Sequence, residues 1–382
     1  MIHPDFKFLR SVCMMIGAVV GVGVFGIPFS FAQSGVAIGL LELFILGIIM
    51  IILQLMFAEI ALQTSGKHRL VGYIDLYLGP FWKKIATAAV CANGWGAILA
   101  YMIIGGSFLH LLLAPVFGGP AHIYSYFLAL IAGFFIYLGL KVASRLEIFV
   151  IGTLLFLFVF MILLSFPHIQ ISNIFKLHWS NAFVPYGIIL FALSSMGIVP
   201  EMKEVLGSRA KSQLGSAILI GMLIVIVLYA LFGTALVGVT GQQTTQAVFE
   251  GLTPIFGETF RVVASILGII TVLSVFIMLG IQLMNIVRVD LHRSHKTAWA
   301  MAIFIPVLLF GFGFREFVDL IGFIGSVFGG LLGILIVFTY LRMQKTATCR
   351  IHHCFKFPPI LSWIVIGVFL TGIVFKFYQF LL

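Results

Sequence analysis

An all-α integral membrane protein is the fold class that this 382-residue sequence predicts: eleven transmembrane helices, ten forming a five-plus-five inverted repeat with discontinuous helices 1 and 6, and one extra C-terminal helix. Three observations carry that expectation. Hydrophobic residues make up 62% of the chain and charged residues 9%, against about 45–50% and about 25% in soluble domains. Apolar runs of about 20 residues, enough to cross roughly 30 Å of hydrocarbon, recur along the whole chain. The first and sixth of these runs are interrupted by similar glycine and proline punctuation.

The runs fall at 11–32, 36–62, 84–116, 122–140, 146–166, 181–206, 213–239, 260–285, 297–313, 317–341 and 359–380. Lys7 and Arg10 precede the first run in the manner of a signal peptide. The run is too long for a signal core and ten more follow, so it is expected to be retained. No polar stretch is long enough for a soluble domain, so residues 1–382 read as one transmembrane unit. Within it, 11–166 is the first five-helix repeat, 181–341 the second, inverted one, and 359–380 the extra helix.

Lysine and arginine set the orientation, because they concentrate in cytoplasmic segments. With the N-terminus inside, 18 basic residues lie in inside segments and only Lys176, Arg261, Arg315 and Lys376 lie outside. The N-terminus is therefore expected in the cytoplasm and the C-terminus outside. The net charge of +10 reads as this topology signal and as attraction to anionic lipid, not as a nucleic-acid surface. The four cysteines make no disulfide framework: Cys13 and Cys91 sit in spans, and Cys349 and Cys354 flank His352 and His353 in an inside loop, CRIHHC, whose spacing fits no standard zinc pattern.

The first span contains GAVVGVGVFGIPF, with Gly21, Gly23 and Gly26 in a literal G-x-G-x-x-G. A dinucleotide-binding turn needs a preceding strand and a βαβ unit, and neither surrounds it. A helix-dimer face accounts for Gly17 and Gly21 and leaves Gly23, Gly26 and Pro28 unexplained. A deliberately broken helix uses them all, since glycine eases departure from helical geometry and proline removes a donor. Unwound backbone at membrane depth must be buried in protein or line a wet cavity. The sixth span repeats the punctuation in SSMGIVPEMKEVLG, five helices later and therefore entering from the opposite side. Interrupted helices at corresponding positions of two inverted halves point to a substrate site near the midplane.

These stretches resemble the amino acid/polyamine/organocation transporter superfamily, and within it the bacterial aromatic (tryptophan and tyrosine) amino acid permeases and the wider amino acid/auxin permease family. The resemblance rests on GAVVGVGVFGIPFSFAQSG, LMFAEIALQTSG at the inner end of the second span, SSMGIVPEMKEVLG in the sixth and FVDLIGFIGSVFGGLLG in the tenth. It implies a secondary active symporter importing amino acids, aromatic or large neutral, across the plasma (inner) membrane by alternating access.

A zwitterionic substrate brings a carboxylate and an ammonium that must both be satisfied in a low-dielectric site. The carboxylate is assigned to the backbone N–H groups of Gly21, Val22 and Gly23, at the positive end of the second half-helix. The ammonium goes to free carbonyls near Val19 or Val20 and from Phe191 to Ser194, beside Gly197, with the Ser194 and Ser195 hydroxyls adding bonds. Phe25, Trp95, Tyr101 and Phe191 are candidates to line or close the pocket, Phe191 because the resemblance places an aromatic gate there. Asn93 is a membrane amide in need of partners.

Two coupling ions stay open. In sodium-driven relatives the cation sits between first-helix carbonyls and eighth-helix hydroxyls, which here implies Gly17 and Val20 with Thr271 and Ser274. A proton carrier needs a titratable group in the membrane; Glu42, Glu59 and Glu201 are the candidates, and Glu59 matches the family pattern, with neutralisation by Lys67 or Arg69 as its alternative. Some proton-coupled relatives place a lysine in the fifth span, which this sequence lacks. The aromatic permeases are proton-coupled as a class, and the resemblance therefore favours H+ over Na+. No cofactor and no metal are expected, the partners are the amino acid and the lipid bilayer, and the sequence sets no oligomeric state. A non-transporting amino acid sensor is the rival reading. An enzyme is disfavoured because no H-E-x-x-H or paired intramembrane aspartate is present, and a channel because the spans are too apolar.

Overall fold

The structure is a computed structural model that describes residues 6–139, 143–195, 197–290, 294–346 and 357–381. Met196 in the second break and the CRIHHC loop with Cys349, His352, His353 and Cys354 lie outside the described residues. The described residues are overwhelmingly helical, and each of the eleven apolar runs corresponds to a helix or an interrupted helix. The first run is α1 (Phe6–Val19), a 3-10 turn (Val22–Phe25) and α2 (Gly26–Ser34), bent by 55° at the break. Gly21 is extended there, with φ −136° and ψ −159°, so the α-helical ladder stops at Val20.

The second and third runs are α3 (Val36–Gln63) and α5 (Pro80–Phe117), joined by a short helix α4 (Leu70–Leu78) that packs against α5 and buries Leu70, Val71, Tyr73 and Ile74, with Tyr73 edge-on to Phe57 of α3. The fourth and fifth are α6 (Ala121–Leu138) and α7 (Ala143–Ser165), followed by a single turn, α8 (Ile171–Ile174). The sixth run splits as its sequence predicts, into α9 (Val184–Ala192) and α10 (Val199–Leu206), with Pro200 in the first turn of the second piece. Proline is tolerated there because the first turn has no intrahelical acceptor for its missing N–H. The seventh run is α11 (Ala210–Thr240) and the ninth α13 (His295–Gly311).

Two runs depart from simple helices. The eighth is the far part of α12 (Val248–Asp290), which is kinked at Gly257 with φ 81°, a left-handed conformation that glycine adopts at little cost. The tenth is α14 (Phe317–Phe323), a π-helical turn (Ile324–Gly329) and α15 (Gly330–Thr346). The π turn lies where backbones touch: a Cβ on Gly187 of α9 would strike the Gly322 carbonyl and the Ser326 hydroxyl, and one on Gly325 would stand 2.7 Å from the Phe191 nitrogen. The eleventh run is α16 (Pro359–Leu381), which packs against α15.

Packing sorts the helices into two groups. The interrupted helices α1, α2, α9 and α10 pack with α3 and α11, and a second group is built on α5, α6, α7, α12 and α13. At the C-terminal end of α3, Lys203 of α10 donates to the Ala61 and Thr64 carbonyls at 2.5 and 3.1 Å, satisfying acceptors that the helix end leaves open. Arg69 meets Glu201 at 3.4 Å and Lys67 meets Glu204 at 3.2 Å, so α10 is fastened to the end of α3.

The glycine contact between α9 and the π turn yields a test. Gly187→Leu inserts a side chain into touching backbones, and overpacking of this kind costs about 1–3 kcal/mol or more. A markedly lower thermal midpoint in detergent is expected, and an unchanged midpoint would show that the backbones are not in contact.

Candidate functional site

Both breaks leave backbone groups without helical partners; two tyrosines from intact helices answer backbone groups, and a glutamine from a third answers a side chain at the second break. Tyr101 of α5 accepts the Val22 N–H at its hydroxyl oxygen at 2.9 Å. On the other side of Gly21, Tyr229 of α11 directs its single hydroxyl proton at two carbonyls, Val19 at 3.0 Å and Ala192 at 3.2 Å. Those carbonyls terminate α1 and α9, so one phenol joins the ends of both interrupted helices. Gln54 of α3 donates to the Ser195 hydroxyl at 2.9 Å, and Ser195 in turn points at the Met15 sulfur at 3.5 Å. Gln54 is 1% exposed, and its Oε1 has no hydrogen-bond partner among the described residues.

Where the first break faces the second group of helices there is a small cavity, about 190 Å3 in empty volume, lined by Gly21, Val22, Phe25, Tyr101, Leu154, Thr271, Val272 and Val275. Its only polar lining side chains are Tyr101 and Thr271. Thr271 donates to the Leu267 and Gly268 carbonyls at 3.0 and 2.9 Å, the common back-bonding of a membrane hydroxyl to its own helix.

One side of the cavity is sealed by aromatic rings. Phe25 is edge-on to Phe108 at 5.2 Å and to Phe249 at 5.7 Å, with Phe158 at 5.6 Å, while Phe108 and Phe249 stack at 4.3 Å. All four are at most 1% exposed. Phe249 lies before the Gly257 kink, so the seal includes the segment between α11 and the eighth span. Cys13 and Ala18 of α1 are exposed and Gly17 and Gly21 partly so, and Gly197 after the second break is exposed too.

The remaining sequence candidates distribute as follows. Gly23 marks the crossing of the two breaks: a Cβ there would stand 2.8 Å from the Ala192 Cα and 2.9 Å from the Phe191 ring. Phe191 therefore covers Gly23 and is not among the cavity-lining residues. Val20 is buried beside the break, its N–H still bonded to Ile16. Ser194 is partly buried, its N–H on the Phe191 carbonyl at 3.2 Å. Asn93 and Trp95 sit on α5 toward its N-terminal end, away from the lining set, and the buried Trp95 Nε1 finds no partner among the described residues.

Ser274 lies one turn from Thr271, bonded to the Ile270 carbonyl at 2.7 Å. Glu59 is 4% exposed and accepts from Gln63 at 2.8 Å, while Lys67 and Arg69, expected as its counter-charges, reach Glu204 and Glu201. Glu42 is remote from the breaks, roughly 18 Å from Gln54 along α3 at 1.5 Å per residue. Sequence reading missed Gln54, Tyr229 and the rings of Phe108, Phe158 and Phe249. The signal for the first two was a lone polar side chain inside an apolar run, in IILQLMF and IVLYALF.

Comparison with known proteins agrees with this geometry. The model of the tryptophan/tyrosine permease family matches residues 5–254. The tyrosine-specific transport system 1 of Haemophilus influenzae is 25% identical over 342 residues, covering 84% of each chain. Among solved structures, the inward-facing conformation of Mhp1 superposes with a TM-score of 0.67 at 14% identity, over 96% of this chain and 88% of that one. MhsT in complex with L-phenylalanine gives 0.63 at 16% identity, over 99% and 98%. At such identities the two structures speak for the fold, an inverted-repeat helical transporter.

The Tyr229 bridge yields a second test. Tyr229→Phe removes the donor to Val19 and Ala192, and a buried acceptor left unpaired costs about 1–3 kcal/mol. The purified variant is expected to melt at lower temperature than the parent; equal midpoints would mean that the bridge holds nothing.

Proposed function

The chain belongs to the tryptophan/tyrosine permease family, a family of multi-pass membrane transporters and not of enzymes, and on that premise we propose that it imports aromatic or large neutral amino acids by proton-driven symport. The observation that carries this reading is the crossing of the two helix breaks at Gly23, against Ala192 and Phe191, beside a small cavity at the first break. Backbone N–H groups at the start of the 3-10 turn and carbonyls at the ends of α1 and α9 offer opposite partial charges across Gly21. That is the complement of a carboxylate and an ammonium on one carbon. The apolar lining by Phe25, Leu154, Val272 and Val275 suits a large neutral side chain. The relatives point the same way, one being tyrosine-specific by name and one fold neighbour holding L-phenylalanine.

Alternating access is supported by a closure on one side only. The rings of Phe25, Phe108, Phe158 and Phe249 shut that side, while Gly17 and Gly21 stay partly exposed. With the N-terminus in the cytoplasm, as the basic residues favour, this is an inward-facing carrier closed to the outside, in a plasma membrane. The five-helix repeats then run over 11–166 and 181–341.

Proton coupling draws on Glu59, a buried carboxyl roughly 8 Å inward of Gln54 along α3 at 1.5 Å per residue. Glu42 and Glu201 are the other carboxyl candidates. Sodium coupling is the second reading, favoured by the presence of Thr271 on the cavity wall; Thr271 and Ser274 would serve with the Gly17 and Val20 carbonyls. The test is uptake of labelled tryptophan, tyrosine and leucine into proteoliposomes under separate inward proton and sodium gradients. Accumulation under the proton gradient alone, strongest for the aromatics, is expected. Accumulation under sodium alone would overturn the coupling, and saturable binding with no flux would make the protein a sensor.

A further inference from the structure

We propose that the Tyr101 hydroxyl is a stand-in for the substrate carboxylate, holding the empty site closed so that the carrier can reorient without cargo. The inference rests on the transport reading above. It follows from counting donors and acceptors at the first break. A backbone N–H has one proton, and that of Val22 is taken by the Tyr101 oxygen at 2.9 Å. A carboxylate arriving at Val22 must therefore displace the phenol, since the two compete for one donor.

The carbonyl side is different. Each carbonyl has two lone pairs, and Tyr229 divides one proton between Val19 and Ala192 at 3.0 and 3.2 Å. An ammonium can add there without removing Tyr229. Of the two phenols, Tyr101 is thus exchangeable and Tyr229 permanent. Their helices fit the division, because Tyr229 stands on α11, which packs with the interrupted helices, whereas Tyr101 stands on α5 in the other group. The Val22–Tyr101 bond is consequently a link between the two groups that an arriving carboxylate would break. Tyr101 and Val22 both line the cavity at the first break, where the two would meet an arriving carboxylate.

Net uptake requires the empty carrier to return, whereas exchange of internal for external substrate does not. Tyr101→Phe keeps the ring and removes the competitor, so the ratio of exchange to net uptake of labelled tryptophan in proteoliposomes is expected to rise about tenfold, the worth of one buried hydrogen bond. Gly21→Ala provides a second variant. Its extended backbone admits alanine, and the new Cβ would stand 2.5 Å from the Tyr101 hydroxyl, pushing the phenol off Val22 without deleting it. The same direction is expected.

An unchanged ratio in both variants overturns the proposal. So does a tenfold or greater loss of tryptophan affinity in Tyr101→Phe, which would make the hydroxyl a direct ligand. A parent protein that transports tryptophan while the variants fail these criteria refutes the stand-in alone. A parent that neither exchanges nor accumulates any amino acid refutes the transport reading beneath it.

Discussion

Everything in this molecule depends on where the backbone polar groups of two broken helices go. In hydrocarbon an unsatisfied N–H or C=O costs several kcal/mol, so a break is stable only if other parts of the protein answer it. Here Tyr101 answers a donor, Tyr229 answers two acceptors and Gln54 answers the hydroxyl of Ser195. Each comes from an intact helix, and together they fix how α3, α5 and α11 stand around the breaks. The groups they hold are also those proposed to meet a zwitterion, so the constraint that shapes the fold and the proposed site are one arrangement.

The division into two packing groups gives this arrangement its mechanical sense. Lys203, Glu201 and Glu204 bind α10 to the end of α3 and its loop, which ties the interrupted helices to α3. The seal of Phe25, Phe108, Phe158 and Phe249 lies across the boundary between the groups, and dispersion and edge-to-face contacts hold it. Contacts of that kind are numerous and individually weak, and they separate without leaving a charge or a hydrogen bond unpaired. An ion pair in the same position would resist opening far more.

Much of the fold was legible in the sequence, for a physical reason. Hydrocarbon permits few structures, so run length reads out the spans, and glycine with proline reads out the two breaks. The π turn at Ile324–Gly329 was not legible, because IGSVFG is locally an ordinary helical stretch whose geometry is set by the α9 backbone against it. The kink at Gly257 was missed since its flanks are helical on both sides. In the site, Gly21, Val22, Phe25, Tyr101 and Thr271 were readable and do line the cavity. Gln54 and Tyr229 announce only that they need partners, and a sequence does not say which. With 40 phenylalanines in the chain, composition also gave no means of choosing the rings that close the site; Phe191 was preferred, and Phe25 with Phe108, Phe158 and Phe249 form the seal.

The central claim is that one substrate's two charges are met by the backbone of two helix breaks. The most direct measurement is calorimetric binding of tryptophan, tryptamine and indole-3-propionate to the purified protein, since the last two lack the carboxylate and the amine respectively. The account predicts that each binds at least about 100-fold more weakly than tryptophan, because each leaves one set of buried backbone groups unanswered. If either analogue matched tryptophan, the breaks would not be the site that recognises the amino acid.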